Sequence, residues 1–143
     1  FTATDLADPS RLAALRRLPG ARLSFAPLWS TSLAVGYERD VGNDLVFRGN
    51  VSGKYSGAYN TGSDLHPSKR QPAFLLVNAR LGLGKRDSGW TAELWANNLF
   101  DKKYLQVGFN GPYQVDLNND AISVYNAFLG APRTVGATLR FSY

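Results

Sequence analysis

From Trp29 onward the chain changes polarity at every second residue, and it does so over stretches of ten residues or so. Trp29, Thr31, Leu33, Val35 and Tyr37 alternate with Ser30, Ser32, Ala34, Gly36 and Glu38. Successive side chains of a strand point to opposite faces, so this period builds a sheet with one apolar and one polar face. Leu45, Phe47, Val51, Tyr55 and Tyr59 form a second apolar row, interleaved with Arg48, Asn50, Ser52, Lys54 and Ser56. A third row sets Leu75, Val77, Ala79, Leu81 and Leu83 against Asn78, Arg80, Gly82 and Gly84. The last sets Val135, Ala137, Leu139, Phe141 and Tyr143 against Thr134, Gly136, Thr138, Arg140 and Ser142. Between them, Trp90, Ala92, Leu94 and Ala96 read to the apolar side and Thr91, Glu93 and Asn97 to the polar side, which leaves Trp95 on the polar face. The expected fold class is all-β: an antiparallel meander with strands near 28–40, 44–59, 73–85, 89–106 and 132–143.

The connections alternate in length. Asp40–Asp44 and Lys85–Gly89 are short and rich in the Gly, Asn and Asp of hairpin turns. Asn60–Pro72 and roughly Gln106–Ala131 read as long loops, and residues 1–27 as a further irregular segment with a short helix over Arg11–Leu18 before Pro19-Gly20. Short turns at one end and long loops at the other are the layout of an outer-membrane barrel, whose loops face outside. Strands of about ten residues also cross a bilayer when tilted, whereas soluble strands average about five or six. Trp29, Tyr37, Tyr55, Tyr59, Trp90 and Tyr143 fall at strand ends, where interfacial aromatic girdles sit. A soluble sandwich would explain the alternation by burying apolar rows on one another, but it needs neither the length nor the girdle. Five strands cannot close a single-chain bacterial barrel, which has an even number and at least about eight. Open edges in hydrocarbon would leave backbone groups unsatisfied. A chain that opens on Phe1 without a secretory segment is therefore expected to be a fragment of a larger transmembrane barrel: 1–27 an extracellular loop segment, 28–143 its strands.

Other functions find little support. Cys and Met are absent, which excludes a disulfide scaffold and a thiolate zinc site. The net charge of +5 is scattered apart from Arg11, Arg16, Arg17 and the Ser68-Lys69-Arg70 stretch, so no nucleic-acid partner is expected. No run of eighteen apolar residues could form a transmembrane helix. The single histidine, His66, lies beside Pro67 with no Gly-x-Ser-x-Gly elbow in the chain. It reads as a solvent-exposed loop residue, and the protein as no enzyme. Asp116-Leu117-Asn118-Asn119-Asp120 opens like a calcium loop, but Ala121 and Ala127 stand where Gly and Glu are required. Gly82-Leu83-Gly84 lacks the third glycine of a dinucleotide fingerprint and reads as room for a neighbour. Neither a metal nor a cofactor is expected. Arg11, Arg16 and Arg17 flank Leu12, Leu15 and Leu18 at helical spacing, as a solvated loop helix or a contact for lipopolysaccharide phosphates. Asn110, Tyr113 and Tyr125 of the last long loop are candidate ligand contacts.

Trp90-Thr91-Ala92-Glu93-Leu94-Trp95-Ala96-Asn97-Asn98-Leu99-Phe100-Asp101-Lys102-Lys103-Tyr104 resembles the penultimate strand of TonB-dependent receptors, in which Asn98, Leu99, Phe100 and Asp101 followed by Tyr104 match a recurring motif. Gly130 to Tyr143, with its Pro132-Arg133-Thr134 lead-in and aromatic end, is similar to that family's final strand. Leu75–Gly82 and Ala26–Trp29 resemble stretches upstream, in the same order, so the likeness covers most of 19–143. The resemblance implies the last five strands of a barrel of about twenty-two with a plugged lumen. It implies a receptor in the bacterial outer membrane, amid lipid and lipopolysaccharide, that imports a scarce nutrient such as an iron–siderophore complex on energy relayed by TonB. The plug domain and TonB-contacting segment belong to the family's N-terminal part. Thr134, Gly136, Leu139, Phe141 and Tyr143 are similar to the C-terminal signal read by the barrel assembly machinery, and an edge strand with one apolar face can pair by β-augmentation. Phe141 and Tyr143 also suit interfacial anchoring. A porin or structural barrel, or a soluble all-β binding module, are the alternatives.

Overall fold

The computed structural model describes the backbone of residues 22–86, 89–116 and 119–142, and the side chains of these residues except 112–124. The described strands are β1 (Ser30–Gly42), β2 (Leu45–Ser56), β3 (Tyr59–Asn60), β4 (Arg70–Gln71), β5 (Phe74–Lys85), β6 (Gly89–Asn97), β7 (Leu105–Asp116), β8 (Asn119–Leu129) and β9 (Thr134–Ser142). Five of them form one antiparallel sheet in the order β1-β2-β5-β6-β9, with β1 and β9 at its edges. The chain is all-β, and this sheet is the meander the alternation predicts; it is not closed into a barrel. The expected helix over Arg11–Leu18 lies outside the described residues, as do Asp87, Ser88 and Tyr143.

Direct cross-strand partners share a face. Val35 pairs with Val51, Val51 with Ala79, Ala79 with Ala96 and Ala96 with Val135. Two residues toward the tight turns, Tyr37, Gly49, Leu81, Leu94 and Ala137 form the next row. Leu75, Val77, Leu81 and Leu83 therefore lie on the face of Leu139 and Phe141, while Arg80 and Arg140 lie opposite, as the alternation requires. Trp95 pairs with Arg80 and Gly136, which fixes it on the polar face. The β1–β2 hairpin turns at Asn43 and Asp44, both with positive φ (55° and 58°). That is the handedness that lets a two-residue turn follow the strand twist.

Three expectations are corrected. The 106–131 stretch is the β7/β8 strand pair and not a loop. Leu105, Val107, Phe109, Tyr113 and Val115 already alternate with Gln106, Asn110 and Gln114, a pattern masked by Gly108, Gly111 and Pro112. The 60–72 stretch carries the short β3/β4 pair and a 3-10 turn at Pro67–Lys69. Finally, the fourth strand stops at Asn97 and not near 106. Asn98 and Asp101 adopt φ of 49° and 50°, a conformation no ladder accommodates.

By internal contacts the chain divides into two units. One contains 27–57, 73–104 and 129–143, the five-stranded sheet; the other contains 1–26, 58–72 and 105–128.

Candidate functional site

The sheet's apolar face is uncovered within its unit. Leu33 and Val135 are each 70% exposed and Leu94, in the middle strands, 63%. Among the described residues the buried hydrophobic side chains are Val46 and Phe74, and the register puts both on the polar face. The large apolar side chains thus point away from the sheet's own small core. The charges on this face are Arg39, opposite Phe47, and Lys85, opposite Leu45, both toward the tight turns.

Two ion pairs lie on the polar side of the sheet, toward the tight turns. Arg48 Nε donates to Glu38 Oε2 at 3.0 Å across β1 and β2, and Arg86 pairs with Asp40. Trp95 lies over Gly136, where a β-carbon would collide with the indole, and its Nε1 donates to Thr138 Oγ1 at 3.2 Å. A large aromatic on a polar face needs no other cover here, because a glycine gives it a floor. Of the residues similar to an assembly signal, Thr134 and Gly136 lie on this face and Leu139 and Phe141 on the other.

The segment 98–104 is a tied turn. Asn98 is 6% exposed. Its Nδ2 donates to the carbonyls of Lys102 and Ala131 at 3.0 Å each, and its Oδ1 accepts from Lys102 N at 2.8 Å. Asp101 Oδ1 accepts from Arg133 N at 3.0 Å, and Leu99 N donates to Val77 O at 2.8 Å. Tyr104 stacks on Phe74 with centroids 4.6 Å apart and packs on Gly130, whose N–H donates to Tyr104 O at 2.8 Å. The motif residues Asn98, Asp101 and Tyr104 thus join the end of β6 to the start of β9, while Phe100 projects outward. Gly130→Ala places a methyl inside the Tyr104 ring and is expected to destabilise the folded protein by about 1–3 kcal/mol, the usual cost of overpacking. Tyr104→Ala in the same chain should recover part of that loss in a denaturant titration; no recovery would place the strain elsewhere.

In the other unit, the 58–72 segment closes on a buried lysine. Thr61 Oγ1 and N both donate to Lys69 O, at 2.7 and 3.0 Å, and Thr61 O accepts from Gly108 N. The Lys69 stem lies against Gly62 and Gly108, where β-carbons would crowd it. Its Nζ bonds Asp64 Oδ2 at 2.8 Å and sits 5.3 Å from the Tyr125 ring centroid. His66 is not a solvent-exposed loop residue: it is half-buried against Tyr125, because the 3-10 turn and β8 both use it. Ser68 N lies 3.2 Å from His66 Nδ1, and His66 Nε2 lies 2.7 Å from the Tyr125 hydroxyl. Of the candidate ligand contacts, Tyr125 belongs to this cluster and Asn110 is exposed on β7, while the Tyr113 side chain lies outside the described ones. Among the described residues no three His, Asp or Glu side chains are grouped to hold a metal ion.

Burial raises the Asp64 pKa, but the Lys69 hydrogen bond, the His66 backbone N–H and the charges of Lys69 and His66 outweigh it, and the net shift is downward. A depressed folded pKa contributes stability that is present above the ordinary carboxylate value and lost as pH falls through the folded one. The lock should therefore hold at neutral pH and loosen only below the normal Asp range. Asp64→Asn is expected to lower amide protection at Thr61 and Gly108 by several-fold at pH 7, a modest effect because Asp64 is half-exposed. Unchanged protection would mean the charge does not hold this segment.

The turn at 98–104 and the lysine lock are what sequence reasoning missed. The signals were present as an Asn-Asn pair ahead of an Asp, and a lysine between glycine-containing segments. Comparisons with protein-family models, curated proteins and solved structures give no match to the chain.

Proposed function

We propose that this chain supplies strands to an outer-membrane β-barrel of the TonB-dependent receptor type, whose apolar face meets lipid and whose polar face lines the lumen. The observation that carries the reading is the two-faced sheet: its large apolar side chains are exposed and its charges lie on the other side. From the Tyr55 row to the Leu45 row the apolar face spans ten residue-to-residue steps of β2, about 33 Å of strand. At a tilt of about 40° that is roughly 25 Å, the height of an outer-membrane apolar band. Arg39 and Lys85, near its lower rim, can extend their charges toward the headgroups. The edges β1 and β9 supply the backbone groups through which further strands would close the barrel.

Nutrient import, of a siderophore-bound iron or similar cargo, with a plug, the barrel assembly machinery and TonB as partners, rests on the resemblance of Asn98–Tyr104 and Gly130–Tyr143 to that family. Another outer-membrane barrel satisfies the same two-faced sheet without the TonB partner. The test is quenching by brominated lipid. In the full-length protein in vesicles, with every other tryptophan replaced by Phe, Trp90 should be strongly quenched. With Trp95 kept as the single tryptophan instead, it should not be. Equal quenching, or none for either, rejects the assignment of faces to lipid and lumen.

A further inference from the structure

We propose that the Asn98–Tyr104 turn, with Arg133, is a headgroup clamp that binds the phosphate of an anionic membrane lipid at the loop-side rim of the sheet. The inference rests on the lipid-facing reading above and names the lipid chemistry. Phe100 is 70% exposed on a turn whose neighbours are pinned by hydrogen bonds. The backbone on either side of this aromatic is tied by the side chains of Asn98 and Asp101. Lys102, Lys103 and Arg133 are exposed around it, and no ion pair engages their side chains among the described residues. The Asp101 carboxylate is the one acidic group on the turn, and its Oδ1 is already taken by Arg133 N. Three cations against one carboxylate leave a positive balance.

That hydrogen bond has a second consequence. It fixes the Arg133 backbone beside Asp101, so cations from two separate chain segments converge on one turn, and Asn98 ties Lys102 to Ala131 in the same way. The turn follows Asn97, whose partner Thr134 ends the β6–β9 ladder opposite the tight turns. An apolar side chain that can enter the acyl boundary, beside cations that can reach phosphate, is the chemistry of interfacial lipid recognition. Each Lys or Arg near an anionic surface contributes about a fivefold gain in binding. Removing all three should therefore weaken retention by at least about tenfold, after allowance for Asp101.

The experiment uses the full-length protein in detergent and vesicles containing either a phosphorylated lipid A or the same lipid with its phosphates removed. The wild type is expected to retain the phosphorylated lipid preferentially, in a manner that falls with salt. Lys102→Gln/Lys103→Gln/Arg133→Gln should lose that preference by tenfold or more. Lys102→Arg/Lys103→Arg should keep it, which separates charge from folding. Phe100→Ser should weaken retention of both lipids. Excess inorganic phosphate should compete poorly, since it lacks the acyl chains that Phe100 meets; full competition would make the site one for free phosphate and overturn the proposal. A wild type that inserts yet retains both lipids equally overturns it too. A wild type that does not insert removes the lipid-facing reading together with it.

Discussion

Asn98→Ala is expected to destabilise the folded protein by about 3–5 kcal/mol, a large part of a domain's typical 5–15. The side chain makes three hydrogen bonds from a buried position, to Lys102 N, Lys102 O and Ala131 O. Each contributes about 1 kcal/mol net, and a buried group left without its partner costs about 1–3. Asn also tolerates its φ of 49°, whereas alanine there meets left-handed strain of about 1–2 kcal/mol. Asn98→Gly separates the two contributions, because glycine removes the strain and not the lost bonds. The measurement is the urea midpoint of the folded protein for all three. If Asn98→Ala unfolds within about 1 kcal/mol of wild type, the turn is not held by this side chain. If Asn98→Gly matches wild type, the backbone conformation and not the bonding is what Asn98 supplies.

The five-stranded sheet was legible because period-two patterning is a local property that each strand carries by itself. The faces then followed, since a one-residue slip would put Arg80 and Arg140 on the apolar face. Trp95 was legible as a polar-face residue but not in its environment. Its floor is Gly136, forty-one residues away, and alternation says nothing about which glycine meets which ring. The same limit applies to Tyr104 and Gly130, and to Lys69 with Gly62 and Gly108. The 98–104 segment was misread as strand because Leu99 and Phe100 look like strand residues. The left-handed φ of Asn98 and Asp101 is set by bonds to Lys102, Ala131 and Arg133, two of them more than thirty residues away. His66 was misplaced for a related reason: its partner Tyr125 is fifty-nine residues off, on a strand that read as a loop.

Leu94→Arg and Glu93→Arg, adjacent in sequence, are expected to have opposite outcomes. Leu94 lies in the row of Tyr37, Leu81 and Ala137, near the middle of the apolar face, while Glu93 pairs with Gly82 and Thr138 on the other. If the apolar face meets lipid, arginine at 94 sits near the bilayer midplane and costs about 2–4 kcal/mol. At 93 it reverses a charge beside Arg48, Arg80 and Arg140, but on a wetted face that repulsion is screened and the change should stay within about 1 kcal/mol. If the sheet is instead a soluble one, Leu94, already 63% exposed, tolerates arginine as readily as Glu93 does. The lipid reading thus predicts a large difference between neighbours where a water-exposed sheet predicts almost none. Folded, heat-modifiable protein in the outer-membrane fraction, with reversible unfolding in lipid, gives both numbers. Equal effects at 93 and 94 would reject the lipid reading, and a loss at 93 alone would put the polar face and not the apolar one against the membrane's interior. A loss at 94 of the size expected would also locate the midplane, because the penalty falls toward the interfaces. Val135→Arg, in the equally central row of Val51 and Ala79, should then cost about as much, and Phe141→Arg, in the row of Trp90 by the tight turns, should cost less.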